Sequence, residues 1–212
     1  NLAHLSHRNI ANEERGHAAV IEMRDAMRAV KNEDPKAIVL LAETSIMAFA
    51  DVSEPDDLYL PVGSMSKASS VGLGVALAQP EKNVVIFDGD GSLLMNLGSL
   101  VTVGKQAPKN LVHILLANDV YALTGGQPIP SEERGDLPGM AKAAGYVSVV
   151  QFDNVEEFAS ELPAILNEDG PTFVVLDTVT EVTNAADWKT YPRPPKGWNV
   201  QAPAVRETLI GE

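Results

Sequence analysis

The stretch that decides the fold is Asn83–Gln127, NVVIFDGDGSLLMNLGSLVTVGKQAPKNLVHILLANDVYALTGGQ. Its first run, Val84 to Phe87, is apolar and β-branched, as suits a strand buried on both faces. The run ends in Asp88-Gly89-Asp90-Gly91, which sets two carboxylates at the strand's carboxyl end. Leu93, Leu97, Leu100 and Gly104 then recur at steps of four, three and four, predicting one amphipathic helix with Ser92 at its N-cap. The first turn of such a helix presents unpaired N–H groups and a positive dipole end, a site for diphosphate oxygens. A second strand, Leu111 to Leu116, delivers Ala117-Asn118-Asp119 to the same sheet edge. Asp90 and Asn118 are therefore expected to converge on an oxygen-ligand site. Such a site suits Mg²⁺, which takes few protein oxygens and fills its octahedron with phosphate and water.

Outward from this stretch, strands and helices alternate. Ala37 to Ala42 reads as a buried strand. Glu43 and Thr44 follow it, either facing a substrate at a strand's carboxyl end or opening a helix. Asp51 to Asp57 reads as a solvated acidic loop and Leu58 to Pro61 as a short strand. The helix after Gly63-Ser64-Met65 carries a stripe of Ala68, Val71, Val75 and Ala78. Gly72 and Gly74 inside it cost roughly 1 kcal/mol each against alanine, so close approach of another backbone is expected. Upstream, Val20, Met23, Met27 and Val30 predict a helix from Glu13 that Lys31 to Pro35 stops. His4 and His7 belong to a solvated arm rather than a metal pair.

Downstream, Gly125 to Pro138 is a long loop, either a lid or a plain surface connection. Asp136 to Ala144 follows as a helix and Tyr146 to Phe152 as a strand. Asn154 with Glu157 forms a capping box for a helix bearing Val155, Phe158, Leu162 and Ile165, in which Pro163 should force a bend. Thr172 to Asp177 is the last buried strand. Alternation without hairpin signals gives an α/β fold, an open, mainly parallel sheet with helices on both faces. The expected organisation is an arm and helix (1–36), a binding domain (37–180) and an extended tail (181–212). That tail holds Trp188, Tyr191 and Trp198 and is expected to pack on a partner or back over the domain.

With 212 residues and 45% hydrophobic composition, one domain with an ample core is expected. Cysteine is absent, which removes disulfides and thiolate chemistry. The formal charge of −13 without a Lys/Arg cluster argues against nucleic acid and anionic membrane as partners. No apolar run is long enough to span a bilayer and no signal pattern opens the chain, so a cytoplasmic location is expected.

Gly89-Asp90-Gly91 followed by Asn118, with Val62 to Ser70 upstream and Thr124-Gly125-Gly126-Gln127-Pro128 downstream, resembles the diphosphate-binding domain of thiamine diphosphate-dependent 2-oxo acid decarboxylases. The set is most similar to the phosphonopyruvate decarboxylase branch and the sulfopyruvate decarboxylase β subunit. The resemblance implies thiamine diphosphate and Mg²⁺ as cofactors, with Asp90, Asn118 and the Val120 carbonyl as metal ligands. It implies Gly63, Ser64, Met65, Gly89, Gly91, Ser92 and Tyr121 around the cofactor. Met65 would wedge the aminopyrimidine, the Gly63 carbonyl would accept from its amino group, and Ser92 would hold diphosphate oxygens. By itself Met65 reads equally well as core packing.

The family's base relay starts at a glutamate on the pyrimidine-binding domain, which this sequence lacks. A separate α-type subunit is therefore implied, in a hetero-oligomer acting on a small anionic 2-oxo acid. Lys67 would meet that substrate's sulfonate, phosphonate or carboxylate, or stay an exposed helix lysine. Four positions depart from the pattern: Ala117 replaces an asparagine, Ser66 and Asp119 stand where glycine is usual, and Lys67 stands where a small residue or histidine is. Asp88 reads as an acceptor of turn N–H groups and His113 as a satisfied core histidine. Two rivals remain. One is a cofactor-binding but non-catalytic or regulatory subunit. The other is a serine hydrolase built on Ser64-Met65-Ser66-Lys67.

Overall fold

The computed structural model describes residues 21–42, 45–46, 52, 57–59, 65–130, 135–180, 203, 205–207 and 210. Glu43, Thr44, Gly63, Ser64, the arm with His4 and His7, and Trp188, Tyr191 and Trp198 lie outside them.

Six strands form one parallel sheet: β1 (Ile38–Leu41), β2 (Leu58–Tyr59), β3 (Val84–Gly89), β4 (Leu111–Ala117), β7 (Ser148–Phe152) and β8 (Thr172–Asp177). Their order is β2-β1-β3-β4-β8-β7, and every pairing in it is parallel. Because successive side chains point to opposite faces, each central strand feeds two cores. Val39, Val85, Phe87, Val112, Ile114 and Val174 join one core, under α1 (Met23–Glu33) and α6 (Val155–Asn167). Leu40, Ile86, Leu111, Leu115, Phe173 and Val175 join the other, under α2 (Ala68–Ala78), α4 (Ser99–Gln106) and α5 (Leu137–Ala144). Covering both faces explains why these strands read as continuous apolar runs.

Several expectations need correction. The helix after Gly91 is two helices, α3 (Asp90–Leu94) and α4, joined by a turn at 95–98. Asn96 donates its side-chain amide to the Ser66 carbonyl at 3.0 Å, and Gly98, a poor helix former, lies in the same turn. The N-cap of α3 is Gly89, so Ser92 sits inside the helix. Upstream, residues 13–20 of the helix expected from Glu13 lie outside the described residues, and α1 starts at Met23, after an extended Glu22 and an Ile21 that pairs with Thr178 beside β8. In α2 the buried stripe is Ala68, Ser69, Gly72, Leu73 and Ala76, not the one built on Val71, Val75 and Ala78. Gly72 has the expected packing reason in side-chain form: a Cβ there would stand 2.2 Å from Ile86 Cδ1. Gly74 has none, since a Cβ would meet nothing within 4 Å.

Asp57 is not solvated; it is buried and forms an ion pair with Lys31 of α1. A hairpin does occur, between β5 (Val120–Tyr121) and β6 (Gln127–Pro128), which pair antiparallel around a short 3₁₀ turn at Ala122–Thr124. Asn154 caps α6 by accepting from the Glu157 N–H at 2.9 Å, and the helix continues through Pro163 to Asn167. Beyond 181, the described residues 203, 205–207 and 210 are helical rather than extended, and Val205 is buried in the second core. Among the described residues no helix is long and apolar enough to cross a membrane.

Candidate thiamine diphosphate site

The carboxyl ends of β3 and β4 pair as far as Gly89 opposite Leu116, which puts the Asp90 turn directly beside Asn118. Asp90 Oδ1 accepts the Gly91 N–H at 2.6 Å. Its Oδ2 accepts the N–H groups of Asn118 at 3.0 Å and Asp119 at 2.8 Å. Asn118 Oδ1 accepts the Val120 N–H at 3.2 Å, and the Thr180 hydroxyl donates to the Asn118 carbonyl at 3.0 Å. One buried carboxylate thus ties two distant loops into a single edge, and only 2% of Asp90 is exposed. Burial pushes its carboxyl from 3.8 up to about 6, with the charge of Asp119 adding to the rise and three main-chain N–H groups opposing it.

A buried carboxylate whose ionised form is penalised in this way fits a cation site, because a divalent ion would offset the lost hydration. The donors present are also of the right kind: a carboxylate, an amide oxygen and main-chain carbonyls are the hard oxygens Mg²⁺ prefers. No group of three or more acidic or histidine side chains among the described residues could hold a metal alone. An ion here would complete its shell with main-chain carbonyl, water or ligand oxygens.

Every described member of the expected cofactor-binding set borders one cleft at this edge. Gly91 is there for close approach: a Cβ on it would stand 2.6 Å from the Tyr121 ring. Ser92 Oγ accepts the Ser66 N–H at 3.0 Å, tethering the segment that carries Met65. The proposed helix-end anion site is shorter than expected, because α3 has only five residues and Asp90 itself takes the Gly91 N–H. Lys67 lies outside the cleft lining; it is exposed and donates to Ser66 Oγ at 3.1 Å.

The two departures from glycine are both left-handed, Ser66 at φ 73° and Asp119 at φ 63°. That conformation costs most residues with a side chain roughly 1–2 kcal/mol, and aspartate less, which explains why glycine suits these positions. Met23 and Ser45 also line the cleft. Sequence reasoning passed over both, since neither lies in a motif and only the fold brings them here. His113 is not fully satisfied: its Nδ1 meets the Tyr146 hydroxyl at 3.1 Å, but its Nε2 has no hydrogen-bond partner. Burial, followed by the nearby Asp88 charge, raises the Tyr146 phenol above its usual range.

The profile of the thiamine pyrophosphate enzyme family, C-terminal TPP binding domain, matches residues 42–176. The chain belongs to this family. As a thiamine pyrophosphate enzyme domain it is 44% identical over 140 residues to the phosphonopyruvate decarboxylase of Streptomyces viridochromogenes, covering 66% of this chain and 35% of that one. It is 43% identical over 143 residues to the sulfopyruvate decarboxylase subunit beta of Methanothermobacter thermautotrophicus, covering 66% of this chain and 72% of that one. The domain thus spans only about a third of the phosphonopyruvate decarboxylases it matches. The crystal structure of benzoylformate decarboxylase from Polynucleobacter necessarius superposes with a TM-score of 0.66 at 20% identity, over 81% of this chain and 36% of that one. This likeness shows the fold, a mainly parallel α/β sheet. Family membership also speaks against the serine hydrolase reading of Ser64-Met65-Ser66-Lys67.

Proposed function

We propose that this chain is the β-type component of a thiamine diphosphate- and Mg²⁺-dependent decarboxylase acting on a small anionic 2-oxo acid, sulfopyruvate- or phosphonopyruvate-like. A separate pyrimidine-binding α-type subunit completes the site and supplies the glutamate. The observation that carries this reading is the buried Asp90 carboxylate, hydrogen-bonded to the amides of Asn118 and Asp119 at the cleft. The names and lengths of the relatives support it, above all a β subunit of which this chain covers 72%.

When bound, thiamine diphosphate supplies the electron sink for the carbon–carbon bond that breaks as CO₂ leaves. Asp90, Asn118 and the Val120 carbonyl would hold the metal, and Ser92 would face the diphosphate. Met65 and Tyr121 line the cleft with apolar surface and keep water from the reacting centre. Lys67, exposed and outside the cleft lining, would reach the substrate's anionic tail only from the rim, after leaving Ser66 Oγ.

Decarboxylation assayed with this chain alone, with an α-type subunit alone and with both tests the division of labour. Turnover is expected only in the mixture, and full activity from this polypeptide by itself would refute the two-subunit reading. A non-catalytic, cofactor-binding subunit is the second reading, favoured by the charge of Asp119 against Asp90. Thiamine diphosphate that binds with Mg²⁺ yet never turns over beside the partner would select it.

A further inference from the structure

Beneath the turn that carries Asp90 lies a buried polar file that the proposed chemistry does not use. His113, on β4, is fully buried, as is Asp88 at 1% exposure. The imidazole Nδ1 stands 3.1 Å from the Tyr146 hydroxyl, and Nε2 faces Asp88 Oδ2 at 3.5 Å. Asp88 Oδ1 accepts the Gly89 N–H at 3.0 Å, and Gly89 is the N-cap of α3, immediately before Asp90. Tyr146 and His113 both pack edge-on against Phe173, with ring centroids 5.4 and 5.1 Å away.

A neutral imidazole has one N–H to place. With the proton on Nδ1, the lone pair of Nε2 would oppose the lone pairs of Asp88 at a position buried from solvent. The Tyr146 hydroxyl proton would then have no use toward the ring. With the proton on Nε2, Tyr146 donates to Nδ1 and the Nε2–H dipole points at the carboxylate, so each buried group meets its complement. At 3.5 Å the contact with Asp88 is longer than a formed hydrogen bond, and the attraction is that of a dipole for a charge.

We propose that His113 and Tyr146 are positioning residues for the metal-binding turn. Tyr146 fixes the ring as the Nε2–H tautomer, the ring orients Asp88, and Asp88 holds the Gly89 amide and so the start of α3. Only the last consequence, an effect on metal and cofactor, rests on reading Asp90 as a ligand.

The test uses the full-length protein and three readouts. Nitrogen-15 NMR of the imidazoles, with the His113 signal identified by its loss in His113→Gln, is expected to show a protonated Nε2 and an acceptor Nδ1. A protonated Nδ1 would overturn the proposal. The second readout is amide exchange in two variants: a glutamine amide reaches the place of Nε2, whereas an asparagine amide reaches that of Nδ1. His113→Asn is expected to speed exchange at Gly89 about tenfold while Val85 and Phe87 keep their protection, and His113→Gln to preserve it. Equal exchange in both variants would overturn the proposal. Tyr146→Phe, which keeps the ring against Phe173, guards against a general loss of folding and should shift the tautomer balance.

The third readout is Mg²⁺-dependent binding of thiamine diphosphate, expected to weaken about tenfold in His113→Asn and little in His113→Gln. If the wild-type protein fails to bind the cofactor even with an α-type subunit present, the reading of the site falls, while the tautomer and exchange results still decide the positioning role.

Discussion

The two ends of β4 treat polar groups in opposite ways. At the amino end, the Asn110 amide donates to three main-chain carbonyls, of Ala76 at 3.2 Å, Gln79 at 2.9 Å and Lys82 at 2.8 Å, closing the loop between α2 and β3. At the carboxyl end, Asp90 is buried among neutral main-chain donors that leave its carboxyl raised to about 6. One end is complete within the protein and serves stability. The other holds charge that the protein alone compensates poorly, which is where a bound cation gains most.

If that contrast is correct, Asp90→Asn has the largest effect. Calorimetric titration of thiamine diphosphate with Mg²⁺ should show affinity reduced on the order of 100-fold or more. Unchanged affinity would remove the carboxyl edge as the site. Gly91→Ala should follow, since its Cβ meets the Tyr121 ring at 2.6 Å. Overpacking of this kind costs about 1–3 kcal/mol, read as a lowered melting temperature that Tyr121→Ala in the same chain restores. Asn110→Ala leaves carbonyls without a donor and should cost about 1–3 kcal/mol of stability with cofactor affinity untouched. That outcome would confirm the division between the ends.

The pH dependence sharpens the same contrast. A carboxyl raised in the folded state contributes stability that is full below its ordinary 3.8 and is lost as pH rises through about 6. The metal demands the opposite form, so Mg²⁺ affinity should fall about tenfold for each unit of pH below that midpoint. Asp119→Gly should move the midpoint downward, because the Asp119 charge contributes to the rise. The smallest effect is expected of Ser66→Gly, a gain of about 1 kcal/mol from relief of the left-handed conformation at φ 73°.

Much of the site was legible because its parts are local. Asp88-Gly89-Asp90-Gly91 announces a strand end and a tight turn, and Asn118 follows the next strand at a spacing that parallel pairing converts into adjacency. The break between α3 and α4 was hidden, because the apolar repeat runs through it while the cause, Asn96 reaching Ser66, depends on a segment thirty residues away. Asp57 read as solvated for the same reason, since its partner Lys31 lies on another element.

By itself the sequence determined the alternation of buried strands and helices, the acidic glycine turn and the family. Each of these is written in periods and motifs of a few residues, and local sterics and hydrophobic pattern suffice to read them. Only the tertiary structure decided that one Asp90 oxygen would take the Asn118 and Asp119 amides, that Met23 would border the cleft, and that His113 would face Asp88. Those facts depend on register and packing between distant segments, where directional contacts form only after the sheet has set which side chains meet.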